Sequence, residues 1–89
     1  MQYPIAIEQG DENTAYGIIV PDIAGCYSAS DEHENILRNA KEAIVSHIKC
    51  MIEDGEPIPM PTYSDKYKDD PDFEGMSWEM VDVNIDELY

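Results

Sequence analysis

The sequence predicts an α+β domain in which a three-stranded antiparallel meander precedes one long helix packed on the sheet and a final strand, in the order β-β-β-α-β. Apolar residues alternate with a period of two before residue 30 and again after residue 76, which is typical of strands. An i, i+4 apolar stripe through residues 36–52 indicates a helix with one buried face. With 89 residues, the chain has room for one small core.

The meander occupies the first third of the chain. In its first strand Tyr3, Ile5 and Ile7 share one face, so that face is predicted to be buried. Pro4 has no N–H for a ladder hydrogen bond, which favours a position near the strand start or on an edge. Gly, Asp and Asn residues between the strands are typical of tight turns. The predicted strands are residues 3–8, 15–20 and 26–29, separated by turns at 9–13 and 21–25.

A helix from His33 to Asp54 is predicted next. Asp31 is expected to cap it, with Glu34 three residues later at the spacing of a capping box. Gly55 suits the left-handed position after the last turn, and Pro57 prevents continuation. At 1.5 Å per residue the helix would be about 33 Å long, enough to cross a small sheet. The predicted buried stripe contains Leu37, Ala40, Ile44, Ile48 and Met51, flanked by Ile36 and Ile52.

The segment after the helix is rich in proline and then in acidic residues. Residues 56–61 are predicted to form an extended polyproline II return loop, with Ile58 and Met60 packed on the domain. Residues 62–75 carry little pattern beyond one helical turn after Thr62.

Alternation returns between Ser77 and Ile85, which predicts a last strand with Val81, Val83 and Ile85 on one face. If this strand pairs parallel with a neighbour, the crossover that contains the helix should be right-handed. The last residues, 86–89, are predicted to fray.

The composition is strongly acidic, with 20 acidic against 5 basic residues and a net charge of −15. Binding to a phosphate backbone needs clustered Lys and Arg, so direct nucleic-acid binding by this segment is not expected. Two interpretations of the charge stay open: a surface that keeps the protein dispersed, or a face that recruits a basic protein partner.

No apolar run is long enough for a membrane span and no signal peptide is visible, which predicts a cytoplasmic protein with Cys26 and Cys50 reduced.

Candidate catalytic residues are missing where known chemistry would need them. The order of elements is similar to the core of ribonuclease H folds, whose enzymes hold metal ions with carboxylates from the middle of the first strand and from the helix. Here the middle of that strand is Ile5-Ala6-Ile7, the first carboxylate is Glu8 at its end, and the helix stripe is aliphatic. The sequence therefore predicts a protein that is not an enzyme.

Metal and cofactor sites are not predicted either. His47 and Cys50 could supply two zinc ligands, but a structural zinc site needs four. Cys26 has no base at motif spacing, and the dispersed glycines form neither a dinucleotide fingerprint nor a phosphate loop.

Several segments together resemble the HicB antitoxin family. The resemblance is carried by Tyr3–Glu8, Tyr16–Cys26, Ala40–Ile44 and the helix exit Ile52–Pro59. It covers residues 1–62 well and extends to the final strand. Ala24 stands where the family commonly has proline, and residues 28–30 read Ser-Ala-Ser in place of a more usual Ser-Ala-Gly.

The resemblance implies a degraded, partial ribonuclease-H-like domain and the function of a type II antitoxin. Its partner would be a small basic HicA-type toxin, a ribonuclease that cleaves mRNA, whose active site the antitoxin covers. The acidic edge near the 21–25 turn and the helix start is expected to be rigid and exposed, and it supplies the candidate toxin-binding residues. For each of them a solvated face or a helix cap remains the alternative. The candidates are Asp22, Tyr27, Asp31, Glu32 and Glu34.

The resemblance also bears on domain organisation. Residues 1–89 are expected to form a single antitoxin domain. Many HicB proteins carry a C-terminal DNA-binding domain, and Tyr89 lies about where it would begin, so a truncation and a short form without DNA binding are both open. Self-association through edge strands is a further expectation. The alternative function is a stand-alone module of the same fold that binds a small ligand or another protein without a toxin.

Overall fold

A computed structural model describes residues 1–89 and contains four strands, one α-helix and several short 3₁₀ turns. This order of elements confirms the predicted α+β class. None of the helices is both long enough and apolar enough to cross a membrane. The strands are β1 (Gln2–Glu8), β2 (Tyr16–Ile19), β3 (Tyr27–Ser30) and β4 (Ser77–Asp82), and the helix α1 (Ile36–Glu53) lies between β3 and β4 in the chain.

The sheet has the strand order β3-β2-β1-β4, and all neighbouring strands are antiparallel. Consecutive hairpins form the meander β1-β2-β3, as predicted. β4 returns beside β1 in antiparallel orientation, with Gln2 opposite Asp82 and Ile7 opposite Ser77. Because β4 is antiparallel to β1, the right-handed crossover expected for a parallel last strand does not apply.

The main core lies between α1 and one face of the sheet. Tyr3, Ile5 and Ile7 are buried on this face, as predicted, and Val81 from β4 joins them. From α1, a strict i, i+4 series fills the other side of the core: Ile36, Ala40, Ile44 and Ile48. The prediction that Leu37 belongs to the buried stripe is wrong, because 48% of its surface is exposed. Positions 36 and 37 both lie one turn before Ala40, and the docking angle of the helix buries the first of them.

The start of the helix differs from the prediction. A 3₁₀ turn at His33–Asn35 precedes α1, and neither receives a side-chain cap. The predicted capping by Asp31 and Glu34 is therefore wrong. Ser30 instead forms a local turn just before the 3₁₀ turn: its hydroxyl accepts from the Glu32 N–H at 3.2 Å and donates to the Glu32 carbonyl at 2.6 Å.

The second face of the sheet is also covered where β1 lies, which the alternation in β1 did not predict. Ala6 is fully buried on this face and lies opposite Trp78 in the register with β4. Trp78 stacks on Tyr67 with ring centroids 6.0 Å apart, and Phe73 meets it edge-on at 5.3 Å. Residues that directly oppose each other in an antiparallel pair share a face, so these rings pack over the side opposite α1.

The chain after β4 is more ordered than predicted. The strand ends at Asp82, and Ile85 is 59% exposed, so the predictions of a strand to residue 85 and of a frayed end are wrong. Asn84 and Glu87 form a capping box around a 3₁₀ turn, and Leu88 inserts into the core with 3% exposure.

Candidate functional site

The five predicted toxin-binding residues do not form one continuous edge. In the β2–β3 hairpin, Ile19 lies opposite Tyr27 at one end and Tyr16 lies opposite Ser30 at the other. Asp22 and Tyr27 are therefore at the end that holds the 21–25 turn. The remaining three acidic residues follow Ser30 at the opposite end: Asp31, Glu32 and Glu34.

Asp22 is held by its own chain. One of its carboxylate oxygens accepts from the Thr62 N–H at 2.6 Å. The other oxygen accepts from the Thr62 hydroxyl at 2.7 Å and from the Tyr67 hydroxyl at 2.5 Å. These three bonds, which we call the Asp22 clamp, tie the 21–25 turn to the segment after α1. Sequence reasoning missed this role, because nothing near Asp22 in the chain points to a residue 40 positions away.

The proline-rich segment is fixed at a second point. The Tyr3 hydroxyl donates to the Pro59 carbonyl at 2.7 Å, and Ile58 packs partly against the core. Between this bond and the Asp22 clamp, Met60 points outward with 75% exposure, so the prediction that it packs on the domain is wrong. The backbone of the segment is thus anchored although a large apolar side chain on it is exposed.

The clamp predicts an alkaline limit to stability. Burial raises the pKa of Tyr67 above its usual 10.0, with a further contribution from the bond to Asp22. Burial also raises the pKa of Tyr3. The stabilisation from each neutral phenol is complete below the ordinary pKa and is lost as pH rises through the raised value. We therefore expect the free energy of unfolding to fall above about pH 10.

Tyrosinate absorbance and urea unfolding followed over the same pH series test this expectation. The Tyr67→Phe variant should lose one late-ionising component and show a shallower alkaline decline in stability. An unchanged pH profile in that variant would contradict the role given to this phenol.

Tyr27 lies beside an open groove on the sheet face opposite α1. The tyrosine itself is 66% exposed. The groove has a volume of about 270 Å³ and is lined by Ile19, Tyr27, Tyr67 and Phe73, with Asp70 and Asp72 also at its boundary. It therefore combines apolar walls with carboxylates, and it joins Tyr27 to residues that sequence reasoning did not connect with it.

The acidic surface is largely unpaired within the chain. Only three of the twenty acidic side chains form ion pairs: Asp65 with Lys68, Glu87 with Lys41, and Asp82 with the α-amino group of Met1. Asp31, Glu32 and Glu34 are exposed and have no basic partner. The chain's own five basic residues therefore neutralise little of its negative surface charge.

The cysteines and metal-ligating residues are dispersed. Cys26 and Cys50 are free thiols, and burial raises the pKa of the Cys26 thiol. A raised pKa disfavours the thiolate, which is the nucleophilic form. No group of three or more His, Cys, Asp or Glu side chains is arranged to hold a metal ion.

The fold defines the class of protein: one helix on a four-stranded antiparallel sheet, the architecture of solved HicB antitoxins. The antitoxin HicB of Burkholderia pseudomallei superposes with a TM-score of 0.88 and 32% identity, covering 100% of this chain and 67% of that one. A chain of a HicA3–HicB3 toxin–antitoxin complex superposes with a TM-score of 0.80 and 34% identity, covering 94% of this chain and 99% of that one.

The chain belongs to the HicB-like antitoxin family. The family described as "HicB_like antitoxin of bacterial toxin-antitoxin system" matches residues 3–89. An uncharacterized 14.9 kDa protein from the rep–hol intergenic region of Haemophilus phage HP1 is 40% identical over 88 residues, which are 99% of this chain and 65% of the phage protein. Antitoxin HicB 1 of Photorhabdus laumondii is 33% identical over 61 residues, 68% of this chain and 39% of that protein. The chain therefore matches only part of the length of these two relatives.

Proposed function

We propose that this protein is the antitoxin of a type II toxin–antitoxin pair and acts by binding, not by catalysis. Its partner is a small basic HicA-type ribonuclease, whose mRNA-cleaving site it covers. The observation that carries the proposal is the family match over residues 3–89. A relative with the same fold is assembled with a HicA toxin in a solved complex, which supports the choice of partner.

The charge of the chain suits this partner. A ribonuclease must present positive charge to the phosphates of its substrate. A domain with a net charge of −15, and with most of its carboxylates unpaired, can occupy such a surface in competition with RNA. Complementary charge also accelerates encounter, so we expect association to slow as salt rises.

The proposed contact residues act in two ways. Tyr27, Asp31, Glu32 and Glu34 are exposed and can meet the toxin directly. Asp22 acts indirectly, because its carboxylate is occupied by the Asp22 clamp and holds the segment that carries Tyr67 in place. Large exposed aromatic side chains often dominate binding energy at protein interfaces, which favours Tyr27 as the apolar anchor.

Co-expression with a small basic reading frame found next to its gene tests the proposal. We expect a stable complex on co-purification and rescue of the growth arrest that the partner causes alone. A folded chain that forms no complex and rescues no growth would overturn the antitoxin function and favour the stand-alone binding module.

The three acidic residues at the helix start predict a charge effect on binding. Reversing them together (Asp31→Lys, Glu32→Lys, Glu34→Lys) should weaken toxin binding by about tenfold or more at low salt, because attraction becomes repulsion. Calorimetry or surface plasmon resonance at two salt concentrations measures this loss.

The matched control reverses three exposed acidic residues at and just after the other end of α1: Glu53→Lys, Asp54→Lys and Glu56→Lys. It makes the same change in net charge. Equal losses in the two triple variants would mean that net charge alone matters and would remove the helix start from the contact surface.

A further inference from the structure

The groove beside Tyr27 is built from parts of the chain that are far apart in sequence. One wall comes from the β2–β3 hairpin, with Ile19 and Tyr27 on the same face of the sheet. The other wall comes from the segment between α1 and β4, with Tyr67 and Phe73. The groove opens on the side of the sheet opposite α1, so the helix does not cover it.

The second wall is rigid. Tyr67 and Phe73 meet edge to face, with ring centroids 5.7 Å apart, and both rings contact Trp78 on β4. The Asp22 clamp fixes the Tyr67 hydroxyl. Across the groove, the Tyr27 side chain forms no hydrogen bond or ring contact within its own chain and is 66% exposed. One wall is therefore preorganised, and the other offers an aromatic ring without an internal partner.

The carboxylates at the groove are held beside these rings. Asp70 accepts a hydrogen bond from the Asp72 N–H at 2.9 Å, which fixes both residues just before Phe73. Neither carboxylate forms an ion pair. Aromatic walls with carboxylates nearby suit a long basic side chain, because the stem packs on the rings and the charged head reaches the acids.

The chain itself is poorly equipped to fill the groove from a second copy. It has only five basic side chains. Lys41 and Lys68 are in ion pairs, and Lys66 lies over the Tyr67 ring, 5.4 Å from its centroid, which leaves only Arg38 and Lys49. Two copies with a charge of −15 each also repel one another. A basic partner protein fits this groove better than another copy of the chain does.

We propose that the groove between Tyr27 and Phe73 receives one lysine or arginine side chain of the toxin, with its cationic head at Asp70 and Asp72. This inference rests on the proposed antitoxin function and adds to it the part of the partner that is recognised. It also places the aromatic contact of Tyr27 and an acidic contact on the same side of the sheet, away from α1.

The double substitution Asp70→Asn and Asp72→Asn tests the inference. Asparagine keeps the size of each side chain and removes its charge. At position 70 it also keeps the side-chain oxygen that accepts from the N–H of residue 72. We expect the affinity for the co-purified toxin to fall by about ten- to a hundredfold and to depend less on salt. Tyr27→Thr, which preserves strand propensity and removes the ring, should weaken binding to a similar extent.

The control is Asp11→Asn with Glu12→Gln, in the turn between β1 and β2. Asp11 makes the same local bond, accepting from the Asn13 N–H at 2.8 Å, and both residues are exposed. This pair should bind the toxin within about twofold of the wild type, since separated substitutions outside a contact change little. Thermal unfolding of every variant shows that the fold is intact.

Substitution of each toxin lysine and arginine by methionine then identifies the occupant. For one of these toxin variants, the loss of affinity when it is combined with Asp70→Asn and Asp72→Asn should differ from the sum of the two separate losses. Wild-type affinity in both the Asp70/Asp72 and Tyr27 variants, or additive losses for every toxin residue, would overturn the inference and leave the antitoxin function standing. A wild-type chain that binds no toxin would instead overturn the proposed function, and this inference with it.

Discussion

Replacing Ile44 by alanine should lower the free energy of unfolding by about 2–5 kcal/mol, because three buried carbon atoms leave a cavity that the sheet cannot fill. Ile44 has no exposed surface and belongs to the cluster that joins α1 to β1 and β4. Small domains are stable by only about 5–15 kcal/mol, so this one change takes a large part of the total. Urea unfolding followed by circular dichroism measures it.

The matched control is Leu37→Ala on the same helix. About half of the Leu37 surface is exposed (48%), so its truncation should cost about 1 kcal/mol or less. If Ile44→Ala prevents folding, Ile44→Val should still cost about 0.5–1.5 kcal/mol. Equal costs at positions 37 and 44 would mean that the helix presents a different face to the sheet from the one described above.

Replacing Asp22 by alanine should cost about 2–3 kcal/mol, because three donors lose a charged acceptor at once. The clamp is half-buried, so these donors can regain water when the segment moves away, and this limits the loss. The release has a second consequence: Lys66 and Lys68 lie in or beside the freed segment. Trypsin should therefore cleave the Asp22→Ala variant faster after these two lysines than it cleaves the wild type.

Asp22→Asn separates charge from shape. It keeps one oxygen acceptor in nearly the same place, so its stability and cleavage rate should fall between those of the wild type and the alanine variant. Wild-type stability together with wild-type trypsin resistance in Asp22→Ala would show that the clamp does not hold the segment.

The parts of the fold that the sequence predicted correctly depend on short-range patterns. The meander and α1 follow from alternation and from the i, i+4 stripe, and both involve neighbours in the chain. The sequence could not decide which of Ile36 and Leu37 is buried, because both positions fit the apolar stripe. Only the way in which the helix packs on the sheet buries the first and exposes the second. The spacing of Asp31 and Glu34 predicts a cap, but the 3₁₀ turn at His33–Asn35 has no side-chain cap, and Ser30 makes local hydrogen bonds to Glu32 just before it.

The candidate site was less predictable than the fold for a related reason. Asp22 looked like a free acidic residue in a turn, because the Thr62 and Tyr67 donors come 40 and 45 residues later. The groove beside Tyr27 has one wall from a segment that carried almost no periodic pattern. The second wall becomes recognisable only in the folded chain. Pairing of β4 with β1 brings Trp78 to the second face of the sheet, where it contacts Tyr67 and Phe73.

The interior position of β1 in the sheet affects how the chain folds while it is synthesised on the ribosome. β2 follows β1 closely, but β4 pairs with it only after residues 77–82 have been synthesised. Until then the nascent chain exposes an unpaired edge of β1 and the side that carries Ala6, and Tyr67 and Phe73 lack the Trp78 ring on which they pack. A growing chain therefore completes the aromatic cluster behind the groove beside Tyr27 only after β4 has been made.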